Sequence, residues 1–291
     1  MKRNRGAKGV SVWGEVGIRL LHNPRAVFAM LILLLLLVIV LFADLIVPYS
    51  KAVNLSIPER FQSPGPAHLF GTDMYGRDQF ARTLHGTRIS LLIGFGSATI
   101  AAIAGTLIGV TAAYFPGKVD DIIMRILDIW MAMPSLLVTL AIIAGLGVGI
   151  PQTILALAFG ATPGFARTLR AAALSVSSQE FIESSVAQGA SHWHIMRHDL
   201  IPNVVSQILI QFTMNVSYMI LLGSTLSFLG LGAQPPTPEW GAMLAEGLQN
   251  YQFYPYVVMF PGLFLAMTAL AINILGDSLR DAFDPKLKGR A

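Results

Sequence analysis

The chain has 291 residues, of which 54% are hydrophobic and only 12% are charged, whereas average soluble domains carry about 25% charged residues. This composition excludes a surface that faces water everywhere, and the absence of cysteine excludes disulfides, thiolate metal sites and cysteine nucleophiles. The net charge of +4 suits anionic lipid headgroups and requires no nucleic-acid partner. We therefore expect an integral membrane protein.

The first predicted element is a membrane span at residues 26–47, preceded by a basic segment at residues 1–25. Residues 26–43 contain no polar side chain, and about 20 apolar residues cross a bilayer as a helix. A cleavable signal peptide has an apolar core of about 7–15 residues, followed by small residues at the cleavage site. The run here is longer and ends in Asp44 and Pro48, so we interpret it as a retained span.

Further uncharged apolar stretches predict the remaining spans. They are residues 89–114, 129–166, 204–231 and 256–276. Residues 129–166 are too long for one crossing, and the glycines before Pro151 predict a break that divides them into two spans. The second of these spans has the weakest pattern, because Pro163 and Gly164 interrupt it. Since an open strand edge is not stable in hydrocarbon, the sequence predicts an all-α integral membrane fold with about six transmembrane helices.

The distribution of Lys and Arg predicts the orientation of these spans. With both termini in the cytoplasm, fifteen of the 20 Lys and Arg residues lie on the cytoplasmic side and five lie outside. The resulting organisation is an extracytoplasmic loop at residues 48–88, a five-span core at residues 89–276 and a cytoplasmic tail at residues 277–291. A cytoplasmic loop at residues 173–203 connects spans four and five.

The familiar motifs of catalytic and metal sites are missing from the sequence. It contains neither the G-x-x-x-x-G-K-[ST] loop that cradles phosphates nor the H-E-x-x-H zinc motif. His192, His194 and His198 have no carboxylate at ligand spacing, so we interpret them as a solvated helix face rather than a metal site. The sequence therefore predicts no catalytic, cofactor or metal site in this chain.

Polar residues are few inside the predicted spans. Asp128 falls at a span end, whereas Asn215 and Asn273 lie deeper, where polar side chains more often join helices than touch substrate. Ion-coupled transport has little support from so little buried charge. Gly105 and Gly109 form a G-x-x-x-G pattern, which indicates close helix packing within the bundle, with a pore-lining role as the alternative.

The 48–88 loop contains a segment with a distinctive charge pattern. Gly71, followed by Thr72 and Asp73, predicts a turn that enters a short interfacial helix with Thr72 or Asp73 as its N-cap. The charged residues that follow would then lie at the membrane surface: Arg77, Asp78, Arg82 and Arg88.

The 173–203 loop is long for a connection between membrane helices and too polar to lie in the bilayer. We predict a short helix, a turn at Gly189 and a second short helix that ends near Pro202. Small residues flank Gly189 and would let another protein approach closely, while Trp193, Ile195 and Met196 would provide an apolar anchor. These features are typical of a helix that lies in a partner's groove.

The spacing of Glu183 and Gly189, followed by Ile201 and Pro202, resembles the cytoplasmic loop of permeases from ATP-binding cassette importers. That family usually has two alanines directly after the glutamate, where this chain has two serines. The resemblance implies an ATPase-coupling loop formed by Glu183, Ser184, Ser185, Gly189, Ala190, Ser191, Trp193, Ile201 and Pro202.

Other motifs resemble the second, C-type permease of dipeptide and oligopeptide importers. The extracytoplasmic signature of that group corresponds here to Gly71, Thr72, Asp73, Gly76, Arg77, Asp78 and Arg88. Residues 226–232, 235–241 and 273–285 are similar to the same group. The resemblance therefore runs from the first span to the C-terminus.

The resemblance implies a complex in a bacterial or archaeal cytoplasmic (inner) membrane. This chain would form half of a pathway for peptides, paired with a homologous B-type permease, two ATP-binding cassette ATPase subunits and an extracytoplasmic substrate-binding protein. ATP and Mg would bind to the ATPase subunits and no cofactor to this chain. Nickel chelates, glutathione or opines are alternative cargoes, and a membrane interaction or sensor subunit is the alternative from another functional class.

The predicted outer loop at residues 232–254 contains three prolines and no Lys or Arg. We hypothesise that Pro235, Pro236 and Trp240 face the substrate-binding protein or close the outer mouth. The alternative is a lid that packs on its own bundle.

Overall fold

The computed structural model describes residues 12–284, and all regular elements among these residues are helical. The first helices are α1 (Val12–His22), α2 (Pro24–Ile46), α3 (Tyr49–Val53), α4 (Gln79–Tyr114), α5 (Lys118–Met131), α6 (Ser135–Leu146) and α7 (Ile150–Ser177). They are followed by α8 (Glu180–Ala187), α9 (His192–His194), α10 (Ile201–Asn203), α11 (Val205–Phe228), α12 (Trp240–Gly247) and α13 (Tyr256–Phe283). A 3₁₀ turn occupies Ile57–Glu59, and a π-helix occupies Ile195–Leu200 between α9 and α10.

The predicted all-α membrane fold is confirmed. Four helices, α2, α4, α11 and α13, are long and apolar enough to cross a membrane, and the bent pair α5 and α6 brings the number to five. The remaining predicted span, residues 150–166, lies in α7, which is long but also contains Arg167 and Arg170. The predicted break between the two spans of the 129–166 stretch lies at residues 147–149, where α6 ends and α7 has not begun.

The predicted third span, which begins at residue 129, is wrong as a single straight helix. α5 ends at Met131 and α6 begins at Ser135, and the two axes are bent by 83°. Pro134 lies at this break, where its ring and its missing N–H prevent the helix from continuing. The 12 residues of α6 extend only about 18 Å at about 1.5 Å per residue, against a hydrocarbon core of about 30 Å.

The first span begins at a well-formed cap. Asn23 Oδ1 accepts hydrogen bonds from the amides of Arg25 and Ala26, and Pro24 occupies the first helical position, where its missing N–H does no harm. α1 packs against the end of α13, where Arg19 donates to the Ala282 carbonyl at 3.1 Å. α13 continues past the predicted span end at residue 276. Most of the predicted basic segment before α1 and the end of the predicted tail lie outside the described residues.

The centre of the bundle is α4, which has its most extensive contact with α7. A Cβ atom added at Gly105 would lie 2.5 Å from Phe165 Cβ, and one added at Gly109 would lie 2.4 Å from the carbonyl oxygen of Ala166. The two glycines therefore allow the helix backbones to approach closely. This contact confirms that the G-x-x-x-G pattern packs helices within the bundle.

We expect the substitution Gly109→Ala to destabilise the bundle. The added Cβ would meet a backbone oxygen of α7, which cannot move aside by a rotamer change, and overpacking of this kind costs about 1–3 kcal/mol. The thermal unfolding midpoint of the detergent-solubilised protein should fall. Gly145→Ala is the matched control, because nothing lies within 4 Å of its added Cβ. Equal midpoints for the two variants would contradict the predicted packing.

Candidate functional site

The two segments that the sequence marks as functional lie at opposite ends of α4. The segment before α4, residues 71–78, is here named the signature turn. The segment after α7, residues 180–203, is named the loop segment, and Tyr114 at the last turn of α4 contacts it through a hydrogen bond of 2.9 Å with His192 Nδ1. With 36 residues at about 1.5 Å each, α4 separates the two segments by about 54 Å.

The loop segment turns sharply at Gly189, as the sequence predicts. Gly189 has φ of +78°, a left-handed conformation that favours glycine. Its amide donates to the Val186 carbonyl, and the Ala190 amide donates to the Ser185 carbonyl, which is the Schellman pattern that ends α8. Ser191 then caps α9 by accepting a hydrogen bond from the His194 amide at 3.3 Å.

Apolar side chains fix the loop segment to the bundle. Ile182, Ile195 and Leu200 are buried in one cluster with Val176 of α7 and Val204, the residue before α11. A movement of the loop segment is therefore transmitted to α7 and α11, because a close-packed apolar cluster resists local deformation.

The predicted apolar anchor for a partner is only partly correct. Ile195 is fully buried within this chain and is not available to a partner, whereas Met196 is half-buried against the same cluster. Trp193 is 58% exposed, and Phe181 and Val186 are exposed as well. The sequence analysis did not identify Phe181 and Val186. The signal for them is the amphipathic character of α8, in which Ile182 is buried while Phe181 and Val186 are exposed.

The other residues of the predicted coupling loop differ in exposure. Those on the exposed side are Glu183, Ser184, Gly189, Ser191, Trp193 and Pro202, and those that are half-buried are Ser185, Ala190 and Ile201. Pro202 lies inside α10, and the second helical stretch ends one residue later, at Asn203. Glu183 lines an open groove together with Tyr114, Val186 and His192.

The three histidines of the loop segment do not converge on one point. The rings of His194 and His198 stack with their centroids 4.4 Å apart, whereas His192 pairs with Tyr114. Within residues 12–284, no group of three or more histidine or acidic side chains is placed to hold a metal ion.

The signature turn is built differently from the predicted interfacial helix. Asp78, and not Thr72 or Asp73, is the N-cap of α4, and its Oδ1 accepts a hydrogen bond from the Ala81 amide at 2.9 Å. Asp73 Oδ1 instead accepts from the amides of Tyr75 and Arg77, which closes a tight turn. No short helix forms at residues 73–78; the helix that follows is the long α4 itself.

Three further residues of the predicted signature shape the turn. The Thr72 hydroxyl donates to the Glu59 carbonyl and accepts from the Gln62 amide at 2.8 Å. Gly76 has φ of +74°, and a Cβ added there would lie 1.8 Å from the Ser56 carbonyl oxygen. Gly71 also has a positive φ, of +75°. The signature residues therefore shape the backbone of this turn.

Arg77 and Arg82 are buried inside this chain and are not exposed on its surface, as the predicted interfacial helix would require. Arg77 Nε lies 2.6 Å from Asp73 Oδ2, and both guanidinium groups contact the same Glu246 oxygen, Arg77 at 2.5 Å and Arg82 at 2.8 Å. We name these four side chains the buried ion cluster. Arg88 stays apart and pairs with the exposed Asp44 at 2.6 Å. The sequence reading missed Glu246, which lies in α12, because no local pattern connects it to α4.

The 232–254 segment packs on its own bundle through α12. Glu239 caps α12 and accepts hydrogen bonds from the hydroxyls of Ser90 and Ser224. Trp240 is fully buried, and its indole N–H donates to the Thr83 carbonyl at 3.1 Å. The hypothesis that Trp240 faces a partner is therefore wrong, and the alternative of a packed lid describes it. Residues 234–236, which include Pro235 and Pro236, are exposed.

Comparisons with known families agree with this architecture. Residues 105–289 match the family described as binding-protein-dependent transport system inner membrane component. Residues 11–64 match the N-terminal TM domain of oligopeptide transport permease C. The two matches together include both the first span and the loop segment.

Relatives of known name resemble the chain over almost its whole length. The glutathione transport system permease protein GsiD of Pectobacterium atrosepticum is 42% identical over 95% of this chain and 92% of its own length. The GsiD protein of Escherichia coli is 44% identical over 95% of this chain and 91% of its own length. The dipeptide transport system permease protein DppC of Alkalihalophilus pseudofirmus is 40% identical over 96% of this chain and 91% of its own length.

A solved structure has a related fold. The inward-facing MetNI methionine ABC transporter includes a chain that matches with a TM-score of 0.57 at 22% identity, covering 70% of this chain and 98% of that one. This likeness concerns the fold alone. The family matches and the relatives lead to one conclusion: the chain belongs to the inner-membrane components of binding-protein-dependent transport systems, as a permease subunit of an ATP-binding cassette importer.

Proposed function

We propose that this chain forms one half of the translocation pathway of an ATP-driven importer whose cargo is short peptides. A homologous B-type permease supplies the other half, two ATPase subunits bind ATP and Mg, and a substrate-binding protein delivers the cargo from outside. Both termini and the loop segment face the cytoplasm, as the Lys and Arg distribution indicates. The signature turn and α12 then lie on the outer side.

The construction of the loop segment carries this proposal. Its inner face is fixed to α7 and α11 by buried Ile182, Ile195 and Leu200, while its outer face presents Glu183 and Trp193 around the exposed turn at Gly189. A surface that is rigidly joined to the membrane helices and open on the other side is suited to receive force from a docked ATPase. The free energy comes from the different affinities of the ATPases for ATP in the two conformations of the complex.

The proposed cargo follows from the names of the relatives, and nickel chelates and opines are the alternatives to it. Relatives in the same range of identity are named for glutathione and for dipeptide transport, and glutathione is itself a tripeptide. Import of small peptides is therefore the proposed class, with glutathione as a specific member. Nickel chelates or opines would keep the same architecture with a different binding protein.

The test is purification of this chain in mild detergent from its own cells, followed by reconstitution of the complex in lipid vesicles. We expect a second permease and ATPase subunits to co-purify. Vesicles that contain ATP on the side of the ATPase subunits should take up labelled dipeptide or glutathione. Recovery of the chain without any ATPase, even after crosslinking, would overturn the proposal and favour an interaction or sensor subunit. Uptake of a nickel chelate but of no peptide would reject the proposed cargo.

A further inference from the structure

A cavity of about 370 Å³ lies where the α5–α6 break and the proline-containing part of α7 meet α11. One wall is the break between α5 and α6, with Trp130 and Pro134, and a second wall is α7 at Gly160 and Pro163. The third wall is α11, with Asn215 and Tyr218. Small-molecule sites commonly have volumes of about 300–1,000 Å³, so the size of the cavity suits a short stretch of peptide.

Two side chains of α11 offer unused hydrogen-bonding groups to this cavity. Asn215 Nδ2 donates to the Gln211 carbonyl of the same helix at 2.9 Å, so the amide does not join helices as the sequence suggested. Its Oδ1 accepts no hydrogen bond from any described residue, and the hydroxyl of the 52%-exposed Tyr218 makes none either. α11 thus presents one acceptor and one group that both donates and accepts.

Trp130, at the break between α5 and α6, adds an unused donor. Its ring packs against Phe159 at a tilt of 36°, with the centroids 3.9 Å apart. Its Nε1–H is buried and donates to no acceptor among residues 12–284. Buried donors normally have a partner, so this indole is a group for which a bound molecule could supply the missing carbonyl.

Apart from Ser135, the remaining lining of the cavity is apolar, and all of it is uncharged. Met131, Met133 and Met219 contribute flexible thioether side chains, which adapt to ligands of different shape. None of the lining residues is acidic or basic. A peptide bond offers one donor and one acceptor and carries no net charge, so it can pair with the polar groups of this cavity.

We propose that this cavity is a contact site for the cargo on its way through the bundle, in which Asn215 and Tyr218 hydrogen-bond a peptide backbone and the methionines accommodate its variable side chains. This inference rests on the proposed import of peptides and adds the residues that meet them. Recognition of backbone rather than side chains fits a pathway that must release many different peptides.

The first experiment uses the absence of cysteine from this chain, which makes a single Tyr218→Cys substitution unique within it. In the assembled complex, we expect a small thiol reagent to label this cysteine several-fold more slowly when the binding protein delivers a saturating tripeptide. Leu21→Cys, at an exposed position of α1 outside the cavity, should be labelled at the same rate with and without peptide. Labelling is read on this chain by mass spectrometry.

Two results of this experiment would overturn the proposal. One is a labelling rate at residue 218 that the peptide leaves unchanged. The other is a cysteine that reacts in the isolated chain but never in the assembled complex, since the partner permease would then cover the cavity surface.

The second experiment measures uptake by reconstituted complexes of normal abundance. Tyr218→Phe and Asn215→Leu each remove a hydrogen-bonding group, and we expect each to lower the maximal rate about three- to tenfold. The peptide concentration for half-maximal uptake should stay the same, because the binding protein sets it. Tyr49→Phe, which removes a hydroxyl from an exposed residue outside the cavity, is the matched control with an unchanged rate. Wild-type rates in both cavity variants would overturn this proposal alone, whereas a wild-type complex that imports no peptide would overturn the proposed function.

Discussion

Gly189→Arg is expected to stop peptide uptake while the complex stays assembled and its ATPase subunits still hydrolyse ATP. Among residues 12–284, nothing lies within 4 Å of a Cβ added at residue 189, so the new side chain projects away from the bundle toward the proposed ATPase surface. A left-handed conformation costs an L-residue only about 1–2 kcal/mol, which the anchored loop segment can bear. The loss should therefore arise at the partner surface and not from unfolding.

Gly189→Asn is the matched control for this prediction. Asparagine adopts the left-handed region more readily than most residues and adds neither charge nor much bulk. We expect the asparagine variant to retain most of the uptake, with uptake and ATP hydrolysis measured in the same vesicles. If Gly189→Arg transports at the wild-type rate and is present at normal abundance, the loop segment is not the element that couples ATP hydrolysis to transport.

Glu246→Gln should destabilise the protein strongly. This substitution keeps the shape of the side chain but removes one of the two negative charges of the buried ion cluster, so that only Asp73 faces the buried Arg77 and Arg82. Removal of one partner from a buried ion pair costs about 3–5 kcal/mol, because the remaining charge stays out of water without compensation. We expect a clear fall in the thermal unfolding midpoint in detergent and faster hydrogen exchange in residues 232–254.

The exposed pair of Arg88 and Asp44 provides the comparison for this prediction. Asp44 is exposed, and water screens its interaction with Arg88, so Asp44→Asn should leave the unfolding midpoint unchanged within error. Equal midpoints for Glu246→Gln and Asp44→Asn would show that the buried ion cluster does not stabilise the contact between α12 and α4.

The features that the sequence predicts correctly depend on short stretches of chain. The length of an apolar run decides whether a helix can cross a membrane, so α2, α4, α11 and α13 could be recognised without a structure. The turn at Gly189 is equally local, because a glycine between two amphipathic stretches is the usual end of a helix. The family resemblance depended on such local motifs as well.

The predictions that fail depend on partners that are distant in the sequence. Arg77 and Arg82 look like surface residues until Glu246 of α12 is brought beside them. Trp240 looks like an exposed docking residue until α4 supplies Thr83 as the acceptor for its indole. In both cases a polar group can be buried only because the tertiary structure supplies its hydrogen-bond or ion-pair partner. No local sequence pattern reveals that partner.

Two other failures have local causes that the pattern did not resolve. Asp73 and Asp78 are both acceptable N-caps by residue type, and only the position of the turn selects Asp78. Pro134 occurs within an uncharged run, and hydropathy alone cannot distinguish a straight span from one that is bent at that residue. The break that it causes forms one wall of the proposed cargo cavity.

The length of α4 has a mechanical consequence. The helix contains no proline, and glycines along it lie against α7 and α11, so a tilt of α4 would carry both of its ends. A tilt of about 5° around the middle of a rod about 54 Å long moves its two ends by roughly 2 Å in opposite directions. A molecule that favours one tilt by docking beside α12 must therefore change the affinity of whatever docks at the loop segment, and the reverse effect must be equally large.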